Sequence, residues 1–143
     1  MSATTTITAR IPALSRPVAL FGAIGAALTT NLVVWLIGAA AGGTFEMTDA
    51  GQVQSVAPGG IIMLTVVPML VGLGAAVLLS YKWIGVLRVA AVIGSVLAVV
   101  TIAMTVSADF DTASTIALSI THLTLVPALV VATEGLRRKL LEG

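Results

Sequence analysis

A chain of 143 residues that is 58% hydrophobic, only 9% charged and of mean hydropathy +1.13 has too little polar surface to coat a water-soluble globule. Its net charge of +1 comes with no basic patch interleaved with aromatics, which argues against nucleic acid as a partner. The absence of cysteine excludes disulfides, thiol redox chemistry and thiolate metal ligands.

The first sixteen residues are rich in Ser and Thr, hold Arg10 and Arg16 and lack apolar periodicity, so they read as a flexible tail. Pro17 then opens an apolar run, at a helix position where its missing N–H costs nothing. Val18 to Ala41 carries no charge and is long enough, at about 1.5 Å per residue, to cross a hydrocarbon core of about 30 Å. Arg16, the apolar stretch and Ala39-Ala40-Ala41 also resemble a secretory signal with its cleavage site. Signal cores run only about 7–15 residues, so this longer run is read as a retained helix.

Gly42 to Gly60 holds Glu46, Asp49, Gln52, Gln54, Ser55, Pro58 and several glycines, and is a loop whose middle, Thr48 to Val56, suits a turn or a short surface helix. Ile61 to Leu79 is the second uncharged run. Pro68 within it predicts a local bend, and Tyr81, Lys82 and Trp83 after it are what a membrane–water interface selects. A short connection returns the chain through a third run ending at Val106, so spans two and three form an antiparallel hairpin. Ser107 to Asp111 turns it again. The fourth run, Thr112 to Thr133, ends in Arg137-Arg138-Lys139.

Charge sets the orientation. The basic residues fall before span one (Arg10, Arg16), between spans two and three (Lys82, Arg88) and after span four (Arg137, Arg138, Lys139), whereas Glu46, Asp49, Asp109 and Asp111 lie in the two opposite loops. With four spans the basic regions share one face, which the positive-inside rule assigns to the cytoplasm. The expected fold class is an all-α membrane protein, a four-transmembrane-helix antiparallel bundle, N-in and C-in, multi-pass in the plasma membrane. Its parts are a flexible cytoplasmic tail over 1–16, a transmembrane domain over 17–138 with spans at about 18–41, 61–81, 85–106 and 112–133, and a cytoplasmic tail over 139–143. Arg16, Lys82, Trp83, Arg88, Arg137, Arg138 and Lys139 are its expected membrane anchors.

Helices in lipid associate through small residues that let backbones approach. Gly22, Ala26 and Thr30 in span one, Gly72 and Ala76 in span two, and Ala90, Gly94 and Ala98 in span three offer such faces at four-residue spacing, for packing within the bundle or against another membrane protein or a second copy. His122, the only histidine, lies about 16 Å from the inner end of span four, near the midplane. Thr115, Ser119 and His122 form one polar stripe at i, i+4 and i+7, and Asn31, about 21 Å from its own inner end, is at a similar depth. An Asn31–His122 hydrogen bond that fixes helix registry is the simplest reading; ligand binding or proton handling, and metal or haem, stand beside it.

Asn31, Thr65, Thr101, Thr105, Thr115, Ser119 and His122 all fall at or outside the midplane, which suggests a shallow polar cavity; backbone-satisfied hydroxyls are the bland alternative. Asp109 and Asp111 flank Phe110, a weak metal signal beside the simpler reading of Asp111 as a helix cap. Glu134 and Arg138 have the spacing of an intrahelical ion pair. No catalytic residues, metal site or cofactor are assigned. Small four-helix multidrug exporters need an intramembrane carboxylate, a quinone-linked disulfide oxidase needs cysteines, and bis-histidine haem needs a second histidine.

The stretches Ala27-Leu28-Thr29-Thr30-Asn31-Leu32-Val33-Val34-Trp35, Val66-Val67-Pro68 to Gly72-Leu73-Gly74 and Thr121-His122-Leu123 resemble an uncharacterised actinobacterial family of small four-helix membrane proteins, over roughly residues 17 to 138. The resemblance implies the four-helix fold and brings no activity and no functional residue. The role expected is a non-catalytic accessory or interaction subunit in the cell envelope. The alternative is a small-ligand binder or transport component using an outer-half polar cavity around His122 and Asn31, and an integral-membrane enzyme comes third.

Overall fold

The structure, a computed structural model, describes residues 11–143. Four helices are each long and apolar enough to cross a membrane: α1 (Val18–Ala40), α2 (Pro58–Leu79), α3 (Val86–Ser107) and α4 (Thr112–Glu142). They run up and down in turn, the two later connections being short and the first carrying a β hairpin. One end of the bundle carries the chain from Ile11, the α2–α3 connection and the end of α4, and is here the terminal end. The other carries the α1–α2 segment and the α3–α4 turn.

Local chemistry sets each helix start. Pro17 precedes α1, whose first turn, Val18–Gly22, is a π turn, a form found mostly as single turns within α-helices. Pro58 opens α2. Asp111 caps α4 by accepting from the Ser114 N–H at 2.9 Å. Helix α4 is continuous through Pro127 and runs nine residues past the expected Thr133, so Arg137, Arg138 and Lys139 stand on a helix.

Among the described residues the departure from helix is a two-stranded antiparallel hairpin, β1 (Glu46–Asp49) and β2 (Gln52–Ser55), where a turn or short helix was expected. Ala50 and Gly51 close it with φ of 49° and 77°, the left-handed pair of a tight two-residue hairpin turn. This side of the molecule is the hairpin end.

Helix α4 packs along α3 and along α1, and α1 also packs on α2. The interior has two apolar clusters. The one toward the terminal end gathers Ala19, Ala23 and Ala27, Met69, Leu73 and Ala76, Leu87, Ala132 and Leu136; the one at the hairpin end gathers Phe45, Ile61, Ala117 and Leu118. Buried polar residues Asn31, Thr65 and Thr121 lie between them.

The flexible tail expected over residues 1–16 is, where described, a strap on α4. Leu14 N–H donates to Gly135 O at 2.9 Å and Arg138 Nη1 donates to Ile11 O at 3.0 Å. A Cβ on Gly135 would fall 2.7 Å from Leu14 Cγ, so the glycine provides the seat. Arg10 and the rest of residues 1–10 lie outside the described residues.

Candidate interaction site at the hairpin end

The hairpin is small and polar, and a two-stranded hairpin alone is marginal in water. Its root supplies what the strands do not. Gly43 N–H donates to Gly38 O at 2.9 Å and turns the chain back over the end of α1. Thr44 then donates twice to Asp111 Oδ2, from its N–H at 3.0 Å and its hydroxyl at 2.9 Å. Ser114, fully buried, donates its hydroxyl to the same carboxylate oxygen at 2.6 Å and accepts the Phe45 N–H at 2.8 Å.

Phe45 is 2% exposed and adopts φ 55°, a conformation costly for a bulky residue. Its ring stacks on Trp35 at 5.2 Å between centroids, and Trp35 Nε1 donates to Val56 O at 3.0 Å, just past β2. A Cβ on Gly38 would fall 2.6 Å from Ala117 Cβ and 2.8 Å from Phe45 Cζ. Only glycine fits beneath the ring without moving α4.

Electrostatics follow from the same bonds. Asp111 accepts from Ser114, by side chain first and backbone second, and then from Thr44, which holds its carboxyl well below the usual carboxylate range. Glu46 and Asp49 stand exposed on β1 and Asp109 is exposed on the turn beside α4. The hairpin end is therefore acidic, and no Lys or Arg lies between Ala41 and Tyr81 to offset it. Val53 is 68% exposed, and all of β2 faces outward. The arrangement is a buttressed strand pair with open edges and an acidic margin.

The other expected site residues fall in several places. Asn31 does not pair with His122: its Nδ2 donates to Thr65 Oγ1 at 3.0 Å, and its Oδ1 accepts the Thr124 hydroxyl at 2.6 Å. His122 is half-buried and makes no hydrogen bond among the described residues. Ser119 donates to Thr115 O, Thr101 to Leu97 O and Thr105 to Thr101 O, so these hydroxyls are satisfied within their own helices. Thr115 reaches Phe110 O at 3.4 Å.

On α1 the packed stripe is Ala19, Ala23, Ala27 and Asn31, all buried, while Gly22, Ala26 and Thr30, one position round, line an open groove against α4. Gly72 is exposed with open space around it, whereas Ala76 is 3% exposed. Gly94 faces Leu129, whose Cδ2 a Cβ there would overlap, and Ala98 is buried beside it on the same face.

At the terminal end Lys82 and Trp83 are exposed. Arg88 and Arg137 both pair with Glu134, at 3.1 and 3.3 Å. Arg138 pairs with Glu142, one turn after it, at 2.6 Å, whereas Glu134, the expected partner one turn before it, takes Arg88 of α3 and Arg137. Arg16 lies 3.7 Å over the Tyr81 ring, and Lys139 is exposed. Among the described residues no three His, Cys, Asp or Glu side chains gather as metal ligands.

Sequence reasoning passed over Thr44, Phe45, Ser114 and Thr124. The visible signal was Asp111 three residues before Ser114, the spacing of a helix cap; nothing local says that the same carboxylate also reaches Thr44. A family model described as "Family of unknown function (DUF6069)" matches residues 11–140. No curated protein and no solved structure matches the chain.

Proposed function

The chain belongs to the family of unknown function DUF6069, and because that membership brings no activity with it, we propose its role from its own geometry: a non-catalytic accessory or interaction subunit of the cell envelope, multi-pass in the plasma membrane. The observation that carries this reading is the hairpin. Ten residues from Glu46 to Ser55 present exposed strand edges and an acidic margin, while their root is fixed by Asp111, Ser114, Phe45 and Trp35. Open strand edges are templates for pairing with another chain, and a fixed root lowers the ordering cost of that pairing.

An orientation with both termini in the cytoplasm is part of the proposal. It is supported by the basic residues at the terminal end and the acidic ones at the hairpin end, and it places the hairpin outside the cell. The test is a hairpin variant that leaves the bundle alone: Val53→Lys with Gln54→Lys, both on exposed positions. Purified gently from native membranes, the variant is expected to keep its thermal stability and lose the protein partners that accompany the parent chain. Retention of every partner would remove the hairpin from the interaction.

One observation favours a second reading. The half-buried imidazole of His122 has no hydrogen bond among the described residues, which supports a small-ligand binder or transport component in which that ring meets the ligand. Asn31, bonded to Thr65 and Thr124, then holds the neighbouring helices in place and does not contact the ligand. Saturable retention of a small molecule by the parent chain, lost in His122→Ala, is the result this reading requires.

A further inference from the structure

Away from the hairpin, two concavities follow one another along α4 at the terminal end. The first is an apolar groove of about 510 Å³ between α1 and α4, floored by Gly22, Ala26 and Ala128 and reaching from Leu14 to Thr30 and Thr124. The second is a hollow of about 400 Å³ bordered by Arg16, Tyr81, Leu136 and Lys139. Leu14 belongs to the groove and the next residue, Ser15, to the hollow, so the strap passes their boundary.

The two charged side chains of the hollow, which Gly143 also borders, have no ion-pair partner among the described residues. The three ion pairs among the described residues involve Arg88, Arg137 and Arg138, and no carboxylate pairs with Arg16 or Lys139. Arg16 is nonetheless held in place: Tyr81 stacks on its guanidinium, and its Nε is buried without a hydrogen-bond partner. That Nε is closed off beside Tyr81, so the groups a ligand can reach are the two Nη nitrogens, which are not buried and have no hydrogen-bond partner among the described residues. Beside a membrane the acceptor that such a fork fits is a phosphate oxygen.

The groove states what the phosphate is attached to. From Val18 to Thr30 α1 rises about 18 Å, close to half of a hydrocarbon core of about 30 Å, so the groove has the depth of one leaflet. A partner's transmembrane helix crossing at Gly22 and Ala26 would use the same face, and lipid uptake indifferent to Ala26→Leu would leave the groove to it. At about 30 Å³ per water-sized group, 510 Å³ takes about seventeen such groups, the size of one acyl chain.

We propose that this pair of concavities is a binding site for one anionic glycerophospholipid of the leaflet at the terminal end, with its phosphate on Arg16 and Lys139 and an acyl chain in the α1–α4 groove. Small residues at Gly22 and Ala26 leave the chain its room, and Tyr81 orients the arginine. The site rests on the reading of the four helices as membrane-spanning. Release of the chain from membranes by alkaline extraction would overturn that reading separately from the lipid site.

The test is native mass spectrometry of the full chain in neutral detergent, titrated with phosphatidylglycerol or phosphatidylcholine of the same acyl composition. The parent chain is expected to take up its first phosphatidylglycerol at about 25-fold lower lipid concentration than phosphatidylcholine, about fivefold from each of the two basic residues. Arg16→Gln and Lys139→Gln each reduce that preference by about fivefold, the worth of one basic residue at a lipid surface. Lys82→Gln, an equal charge loss at the same end outside the hollow, leaves it unchanged; Ala26→Leu, which fills the groove, weakens both lipids alike. Lys139 is exposed, so its variant reads the site even if Arg16→Gln misfolds. Equal losses in Lys82→Gln and Lys139→Gln, no effect of Ala26→Leu, or replacement of the lipid by inorganic phosphate in molar excess would each overturn the site.

Discussion

Asp111 and Thr44, separated by 67 positions, are joined twice through one carboxylate oxygen, which accepts the Thr44 N–H at 3.0 Å and its hydroxyl at 2.9 Å. The same carboxylate caps α4 and receives the Ser114 hydroxyl. A helix cap thereby becomes the tie that seats the hairpin on the bundle, and its charge is what makes both sets of bonds strong.

That charge predicts a pH dependence. The folded-state carboxyl of Asp111 is depressed below its ordinary value of 3.8, so the tie stabilises fully at pH above that value and weakens as pH falls through it toward the lower folded value. Above the ordinary carboxylate range the hairpin root should be insensitive to pH. Fluorescence of Trp35, read in a Trp83→Phe background, is expected to hold through the ordinary carboxylate range and to change only well below pH 3.8, as the folded carboxyl protonates and the stack on Phe45 loosens. Asp111→Asn should show the loosened spectrum already at neutral pH; a spectrum matching the parent would remove the carboxylate from the root.

The hairpin also holds a correctable weakness. Ala50 occupies a left-handed position at φ 49°, which costs most L-residues about 1–2 kcal/mol and which Asn tolerates because its short polar side chain bonds locally to the backbone. Ala50→Asn should raise the hydrogen-exchange protection of the Met47–Gln54 pair by about fivefold and leave the amides of α3 unaffected. Unchanged protection would mean that the root alone determines hairpin order.

How legible was this from the sequence? The four helices were, because long uncharged runs and segregated charges survive any detail of packing. The hairpin was hidden because Ala50-Gly51 lacks the Asn-Gly signal and Glu46-Met47-Thr48-Asp49 does not alternate apolar with polar. Asn31 was found by depth, but its partner was not. Thr124 and His122 differ by two residues, about 200° around a helix, so counting rise along the axis says nothing about which of them faces α1. The small-residue faces of α1 pose the same problem. Gly22-Ala26-Thr30 and Ala19-Ala23-Ala27-Asn31 have the same spacing, and only the packing of α2 and α4 tells which is buried.

The Asn31 node predicts coupling. Asn31→Ala removes the bonds to Thr65 and Thr124 together and should lower the stability to detergent-induced unfolding by about 1–2 kcal/mol, the range for interhelical hydrogen bonds in membranes. Thr124→Val should cost less, since it breaks only one of the two. The double variant should cost less than the sum, because one bond is counted in both singles. His122→Asn, at a ring with no bond to lose among the described residues, should leave the same transition unmoved. Strict additivity of Asn31→Ala and Thr124→Val would show that the hydrogen bond between them contributes nothing.

Two glycines at mid-helix separate packing from propensity. Gly94 on α3 faces Leu129 of α4 so closely that a Cβ would overlap the leucine Cδ2, whereas Gly72 on α2 has open space around it. Adding a methyl at either position removes the backbone entropy that glycine carries, worth about 0.5–1 kcal/mol in favour of the helix. At Gly72 nothing opposes that gain, so Gly72→Ala should raise stability by up to that amount. At Gly94 the methyl must displace Leu129 or part α3 from α4, an overpacking cost of about 1–3 kcal/mol that outweighs it. Gly94→Ala should therefore destabilise, and Leu129→Ala placed with it should recover part of the loss by vacating the contested space. Equal effects of the two alanine substitutions in the same unfolding assay would mean that α3 and α4 do not meet at this point.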